Sequence, residues 1–97
     1  MIAKETTDHI FADLGFDPEE AENLRIRSQL MIAVTEYIEQ AGITQQIAAE
    51  RLGVTQPRIS DLMRGKIALF SIDMLVNMLA RTGIEIELIL HRPVQAA

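Results

Sequence analysis

The sequence has no cysteine and no tryptophan, and it has only one tyrosine and three phenylalanines among 97 residues. Without cysteine the chain forms no disulfide framework, offers no thiol nucleophile and supplies no cysteine ligand to a metal. No apolar run approaches the roughly 18 residues that a membrane-spanning helix needs. The N-terminal stretch MIAKETTDHIF lacks the apolar core of a signal peptide. These absences predict a cytoplasmic protein that does not contact a membrane.

Groups that could support catalysis are also scarce. The two histidines, His9 and His91, stand near opposite ends of the chain, and no residues show the spacing of metal ligands. No Gly-rich phosphate loop and no nucleophile elbow occurs. Glu19, Glu20 and Glu22 are close together, but acids at the start of a helix serve to stabilise its dipole. The sequence therefore predicts no enzyme, no metal and no cofactor.

Residues 44–66, TQQIAAERLGVTQPRISDLMRGK, hold two short helical patterns joined by a glycine turn. Thr44 and Thr55 each stand where a hydroxyl can cap the first amides of a helix. Gly53 follows the first pattern, where a helix often ends in the left-handed conformation. Pro57 falls in the first turn of the second helix, where its missing amide costs nothing. The inward-facing residues are predicted to be Ala48, Ala49, Leu52, Ile59, Leu62 and Met63.

Charge is distributed unevenly along the chain. Nine basic against fourteen acidic side chains give a net charge of −5, whereas nucleic-acid binders are usually basic. Residues 44–66 nevertheless have four basic and two acidic side chains, which gives +2, and residues 1–22 have one basic and seven acidic, which gives −6. A protein polarised in this way is expected to bind phosphates through one face and to lose affinity steeply with salt.

Helical patterns also flank this segment. Asp17 and Pro18 mark the start of a long helix that ends at Gly42. Its apolar-poor first half leaves two alternatives open: it projects and serves an interface, or the helix begins later, after a loop. Beyond the two short helices, Leu69 and Phe70 are predicted to enter the core. Ser71 is predicted to cap a last helix that ends at Gly83. The inward residues of that helix are predicted to be Ile72, Leu75, Val76 and Leu79.

In the tail IEIELIL, residues 84–90, the apolar period changes from about 3.6 to 2, which predicts a strand. A lone strand leaves its backbone groups unpaired, so it needs a partner. The partner is expected to be the same strand of a second chain, which makes the protein a homodimer, or the segment 9–14 of its own chain. The predicted dimer-interface residues are Ile84, Ile86, Leu88 and Leu90.

Residues 44–66 closely resemble the helix-turn-helix of the Cro/C1-type (XRE) family of DNA-binding regulators. The similar positions are Gln45, Ala49, Gly53, Val54, Ile59, Leu62, Arg64, Gly65 and Lys66. This resemblance implies an all-α fold, a lambda-repressor-like bundle of about five helices, to which the predicted C-terminal strand is added. In such a motif the second helix lies in the major groove and the first crosses the phosphate backbone.

The resemblance assigns roles to the exposed residues of the motif. Gln56 and Arg58 would read base edges, because glutamine pairs with adenine and arginine with guanine through two hydrogen bonds. Ser60 is a weaker candidate for a base contact. Asp61 is expected to pair with Arg58 or Arg64, or to accept from a cytosine amino group. The residues expected to bind phosphates are Thr44, Gln45, Thr55, Arg64 and Lys66.

A second resemblance involves the order of segments, from FADLGF at residues 11–16 to the tail, which is similar to the HigA-type antitoxins. It implies a repressor of its own operon that neutralises a basic ribonuclease toxin. Two other interpretations remain open. One is a stand-alone regulator of phage or bacterial type, and the other is an interaction module that has lost DNA binding.

The predicted organisation follows from these segments. Residues 1–16 form an acidic N-terminal arm, residues 17–83 a helical DNA-binding domain and residues 84–92 a C-terminal strand. The predicted function is that of a dimeric, sequence-specific repressor of a palindromic operator in double-stranded DNA.

Overall fold

The computed structural model of the chain describes residues 9–94, and within them it shows five α-helices and one short 3₁₀ turn. The helices are α1 (Ile10–Asp13), α2 (Pro18–Ala41), α3 (Gln45–Leu52), α4 (Gln56–Met63) and α5 (Ile72–Ala80). The 3₁₀ turn, Ile67–Leu69, lies between α4 and α5. The all-α prediction is therefore confirmed. No helix in this part of the chain is both long enough and apolar enough to cross a membrane.

Each predicted N-cap is present and satisfies a backbone amide. The carboxylate of Asp17 accepts from Glu20 N at 2.9 Å, which places the start of α2 at Pro18. The interpretation in which this helix begins later, after a loop, is therefore wrong. The Ser71 hydroxyl accepts from Met74 N at 3.1 Å and begins α5. These are local contacts between residues three apart, which is why the sequence pattern predicts them.

The core lies where α2 and α5 cross and where the two short helices pack against them. From α2 it takes Val34 and Ile38, and from α5 it takes Leu75 and Leu79. Its remaining buried members are Met31, Ala48, Ala49, Leu52, Ile59, Leu62, Phe70 and Met78. Every inward residue predicted for α3 and α4 is buried except Met63, which is half-buried.

Two apolar placements and one helix boundary predicted after α4 are corrected. Phe70 is buried, but its neighbour Leu69 has 45% of its surface exposed, because consecutive residues at the end of a tight turn point in different directions. In α5 Met78 takes the inward position and Val76 is exposed. The helix also ends at Ala80, earlier than the predicted Gly83.

The predicted C-terminal strand is not present, since residues 84–94 form no strand in the structure of the single chain. A strand exists only where another segment accepts and donates its backbone hydrogen bonds. The intramolecular partner considered for it, residues 9–14, is largely helix α1 and cannot pair in that way. Leu88 and Leu90 are 81% and 88% exposed as a result.

Substitution of Gly53, which follows the last residue of α3, tests the turn between α3 and α4. The φ of +71° at Gly53 is a conformation that side chains disfavour, and a Cβ there would lie 2.5 Å from the Nε atom of Arg81. We expect Gly53→Ala to lower the free energy of unfolding by about 1–2 kcal/mol, measured by urea denaturation.

Gly42→Ala is the matched control, because Gly42 has a φ of +62° but open space around its Cα. Gly42→Ala should lower the free energy of unfolding only by the amount that a side chain at positive φ costs. Any further loss of free energy in Gly53→Ala should disappear when Arg81 is also changed to Ala. A Gly53→Ala variant as stable as the parent would contradict this account of the turn.

Candidate nucleic-acid interface

The interface candidate is built on the N-terminal turns of α3 and α4. The Thr44 hydroxyl accepts from Ile47 N at 3.2 Å, and the Thr55 hydroxyl accepts from Arg58 N at 3.3 Å. Both threonines are themselves exposed, so each helix begins at the surface. Gly53, in the left-handed conformation, reverses the chain between them. The predicted pair of capped helices is therefore confirmed.

The exposed residues of α4 occupy the face opposite its core contacts. Ile59 and Leu62 are buried, whereas Gln56 and Pro57 are exposed in the first turn and Ser60 is half-buried. Gln45 is likewise exposed at the start of α3. The structure thus leaves the amides of both glutamines accessible to a ligand outside the chain.

Arg58 is placed differently from a free base reader. Its Nη1 atom donates to the carbonyl oxygen of Leu69 at 3.1 Å, and its guanidinium lies 5.6 Å from the centre of the Phe70 ring. A cation at that distance from a ring is attracted by the ring's electrons. In the structure of the chain alone, therefore, the guanidinium is engaged with the 3₁₀ turn.

Arg64 and Lys66, two of the residues expected to bind phosphate, meet at one carboxylate. Arg64 Nη2 and Lys66 Nζ each lie 3.7 Å from Asp61 Oδ1. Of the two partners predicted for Asp61, Arg64 is present and Arg58 is not, and Lys66 is an additional one. Both cations are well exposed, so these ion pairs contribute little stability and can be exchanged for contacts with phosphate.

Two arginines outside the motif approach it, and the sequence patterns did not single out either one. The Arg81 side chain lies against the Cα of Gly53 at the turn between α3 and α4. Arg27 of α2 donates from Nη1 to the carbonyl oxygen of Ile67 at 3.2 Å. Both contacts join residues far apart in sequence, so no local signal could have revealed them.

The acidic arm is partly visible. Its residues 1–8 lie outside the described part of the chain, and residues 10–13 form α1, which packs on α2. Phe11 and Phe16 contact each other edge to face, with ring centres 6.2 Å apart. Leu14 is 67% exposed. On the neighbouring turn of α2, a hydrogen bond from Arg25 lowers the pKa of Glu22.

The four predicted dimer residues all lie on the tail. Ile84 and Ile86 are 39% and 37% exposed, and Leu88 and Leu90 are almost fully exposed. The apolar surface of Leu88 and Leu90 is therefore largely open, whereas Ile84 and Ile86 are more than half covered. The structure therefore leaves the predicted interface available but does not show its partner.

Comparison with known proteins agrees with this geometry. The chain matches a family model described as "Helix-turn-helix domain" over residues 10–90. A solved structure, provisionally named an XRE family transcriptional regulator, superposes with a TM-score of 0.71 and is 30% identical in sequence. That match covers 80% of this chain and 90% of the other. A search of curated proteins found no match. The chain therefore belongs to the helix-turn-helix domain family, and its XRE-type fold is of a non-enzymatic, DNA-binding kind.

Proposed function

We propose that the protein is a dimeric, sequence-specific transcriptional repressor that inserts the first turn of α4 into the major groove of a palindromic operator. The exposed Gln56 at the start of a capped, amphipathic α4 is the observation that carries this proposal. A cytoplasmic location follows from such a role, because the DNA must be within reach. The XRE-type relative, named as a transcriptional regulator, supports the same function.

The proposal separates base contacts from phosphate contacts. Gln56, Arg58 and Ser60 would meet base edges, which carry the sequence information. Thr44, Gln45, Thr55, Arg64 and Lys66 would bind phosphates, which fix the position of the protein on the duplex. The exposure of all five phosphate candidates supports this division.

Arg58 must change its contacts to read a base. Its hydrogen bond to Leu69 and its position over Phe70 would be given up as the guanidinium extends toward the groove. A contact with guanine through two hydrogen bonds offsets this loss, because it contributes about 1–3 kcal/mol of discrimination. We therefore assign Arg58 a base contact in the complex and a contact with the turn in the free chain.

The assignment of Gln56 and Lys66 can be tested by binding at several salt concentrations. Lys66→Ala should weaken binding about equally on all DNA sequences and lower the salt slope by roughly one. Gln56→Ala should mainly relax the preference at one base position, with the salt slope unchanged. The measurement is fluorescence anisotropy with duplex DNA from upstream of the coding sequence and with a scrambled duplex.

Gln40→Ala is the matched control for Gln56→Ala, since Gln40 is an exposed glutamine in the last turn of α2. It should leave affinity and base preference unchanged. A uniform loss on all sequences from Gln56→Ala would reject this residue as a base reader. A parent protein that shows no sequence preference at low salt would reject the repressor function itself.

The dimer is proposed to form through the tail. Ile84, Ile86, Leu88 and Leu90 alternate along the tail and each exposes apolar surface, which a second copy of the same tail can cover. Two-fold symmetry would place the two copies of α4 roughly 34–36 Å apart, facing successive major grooves. The palindromic form of the operator follows from that symmetry.

Leu88→Asp tests the interface without disturbing the fold, because 81% of the Leu88 surface is exposed in the single chain. We expect the variant to sediment as a monomer at concentrations where the parent is a dimer. A buried carboxylate at an apolar contact is costly to desolvate, which is the reason for the loss.

Ile47→Asp provides the control, since Ile47 is an exposed apolar residue of α3 and does not belong to the tail. This variant should keep the dimer mass. Dimer mass that persists in Leu88→Asp would show that the tail is not the interface.

We further propose that the protein is the antitoxin of a toxin pair and that its arm contacts a basic ribonuclease. Residues 1–22 carry a net charge of −6, and Ile10, Leu14 and Phe16 expose apolar surface among these acids. Acidic groups interspersed with apolar anchors suit a basic protein surface. The HigA-like order of segments supports the same partner.

One observation favours the stand-alone regulator instead. The family match begins at Ile10, and α1 packs on α2, so part of the arm belongs to the folded domain. In that case the arm stabilises the protein and has no separate partner. The third interpretation, a module without DNA binding, gains no support from the exposed first turn of α4.

Leu14→Arg distinguishes these functions, because Leu14 is the most exposed of the three apolar anchors, with 67% of its surface accessible. If the protein is an antitoxin, the variant should bind DNA as before and lose the basic protein encoded beside it, measured by co-purification from co-expressed genes. A cation in place of the anchor removes the apolar contact and repels a basic partner, which is the reason for the loss. Full retention of a partner, or the absence of any partner with the complete chain, would contradict the arm's assignment.

A further inference from the structure

The 3₁₀ turn that follows α4 is held from two sides by arginines of different helices. Arg27 of α2 donates to the carbonyl oxygen of Ile67 at 3.2 Å, and Arg58 of α4 donates to that of Leu69 at 3.1 Å. The two carbonyls lie at opposite ends of the three-residue turn. Hydrogen bonds from charged donors are stronger than those between neutral groups. The position of the turn therefore depends on α2 as well as on α4.

The Arg27 guanidinium is itself held in place. Its Nε and Nη2 atoms donate to Asn23 Oδ1 at 3.1 and 2.6 Å, one helical turn earlier on α2. Because a planar guanidinium has its donors in fixed directions, fixing two of them also aims the third at Ile67. Asn23, Arg27 and Ile67 thus form one connected set of contacts.

The turn is also anchored by side chains. Ile67 packs against the core, and the Phe70 ring is 2% exposed. Between these anchors Ala68 and Leu69 are exposed, and Lys66 stands immediately before the turn. The anchored ends define where the exposed groups project.

We propose that Arg27 is a positioning residue of the DNA interface, which keeps the turn and the adjoining Lys66 in place while Arg58 reads a base. This inference rests on the proposed DNA-binding function. When Arg58 leaves the Leu69 carbonyl, the turn loses one of its two side-chain donors within the described residues. Arg27 retains the other, so the turn does not have to reorder as the complex forms. Ordering a loop on binding would otherwise reduce affinity.

Three substitutions test the role of Arg27, and all are measured with the anisotropy assay on the upstream duplex. Arg27→Gln should weaken specific binding about tenfold, the scale of one charge-assisted hydrogen bond. Asn23→Ala removes no charge and should weaken binding in the same direction by a smaller factor. Arg27→Lys, which keeps the charge and one donor to Ile67, should recover part of the loss.

Amide hydrogen exchange supplies a readout that general destabilisation would not give. The amides of Leu69 and Phe70 donate to the carbonyls of Lys66 and Ile67 within the turn. They should exchange faster in Arg27→Gln and Asn23→Ala, while the amide of Leu75 in α5 keeps its rate. Asn77→Ala on α5 is the matched control for Asn23→Ala and should leave both exchange and DNA binding unchanged.

Each result has a defined meaning. Faster exchange in the turn with unaltered DNA affinity would show that the turn is not part of the interface. Weaker binding with unaltered exchange would make Arg27 a direct phosphate contact, and the proposal would be wrong. If Arg27→Gln fails to fold, Asn23→Ala decides between these results. Failure of the parent chain to prefer the upstream duplex over scrambled DNA would instead overturn the proposed function.

Discussion

Burial of the inner faces of α3 and α4 against α2 and α5 is the constraint on which the remaining structure depends. Helices of eight residues do not persist in water by themselves, because nucleation costs more than so few hydrogen bonds return. Leu52, Ile59 and Leu62 lose nearly all their exposure in the fold. The small side chains of Ala48 and Ala49 allow close approach at this contact. The exposed first turns hold their shape because the opposite faces are fixed in the core.

Charged side chains of the described residues lie on the outer surface of the fold. No polar or charged residue within the described range is buried, so the ion pairs lie at the surface, where water and salt weaken them. Asp61 is an example, because it forms weak, exposed ion pairs with both Arg64 and Lys66. A surface arranged in this way can exchange internal partners for an external anion at small cost.

Local sequence rules predicted the elements whose determinants are local. Thr44, Thr55 and Ser71 cap amides three residues further on, and a reader of the sequence needs no other information. The predictions failed where the determinant lies elsewhere in the chain or beyond it. The contacts of Arg58 with Leu69 and Phe70 depend on how the turn folds back toward α4.

The tail shows the other limit of such prediction. Alternating apolar residues at 84–90 report a preference for extended pairing, but the pairing itself needs a second segment that the single chain does not provide. Leu69 and Phe70 were indistinguishable in the sequence, since both are large and apolar. Only the geometry of the turn decides which of them enters the core.

Helix α2 has a mechanical consequence of its own. It runs without a break for 24 residues, with proline only in its first turn and no glycine inside, and at 1.5 Å per residue it is about 36 Å long. A continuous helix of this kind resists bending, because sharp kinks need a break in its hydrogen-bond ladder. Helix α1 packs on α2, and the last turn of α2 leads through Gly42 to the cap of α3. Helix α2 is therefore rigid along its length, and a displacement of its N-terminal end moves the C-terminal end that leads into α3.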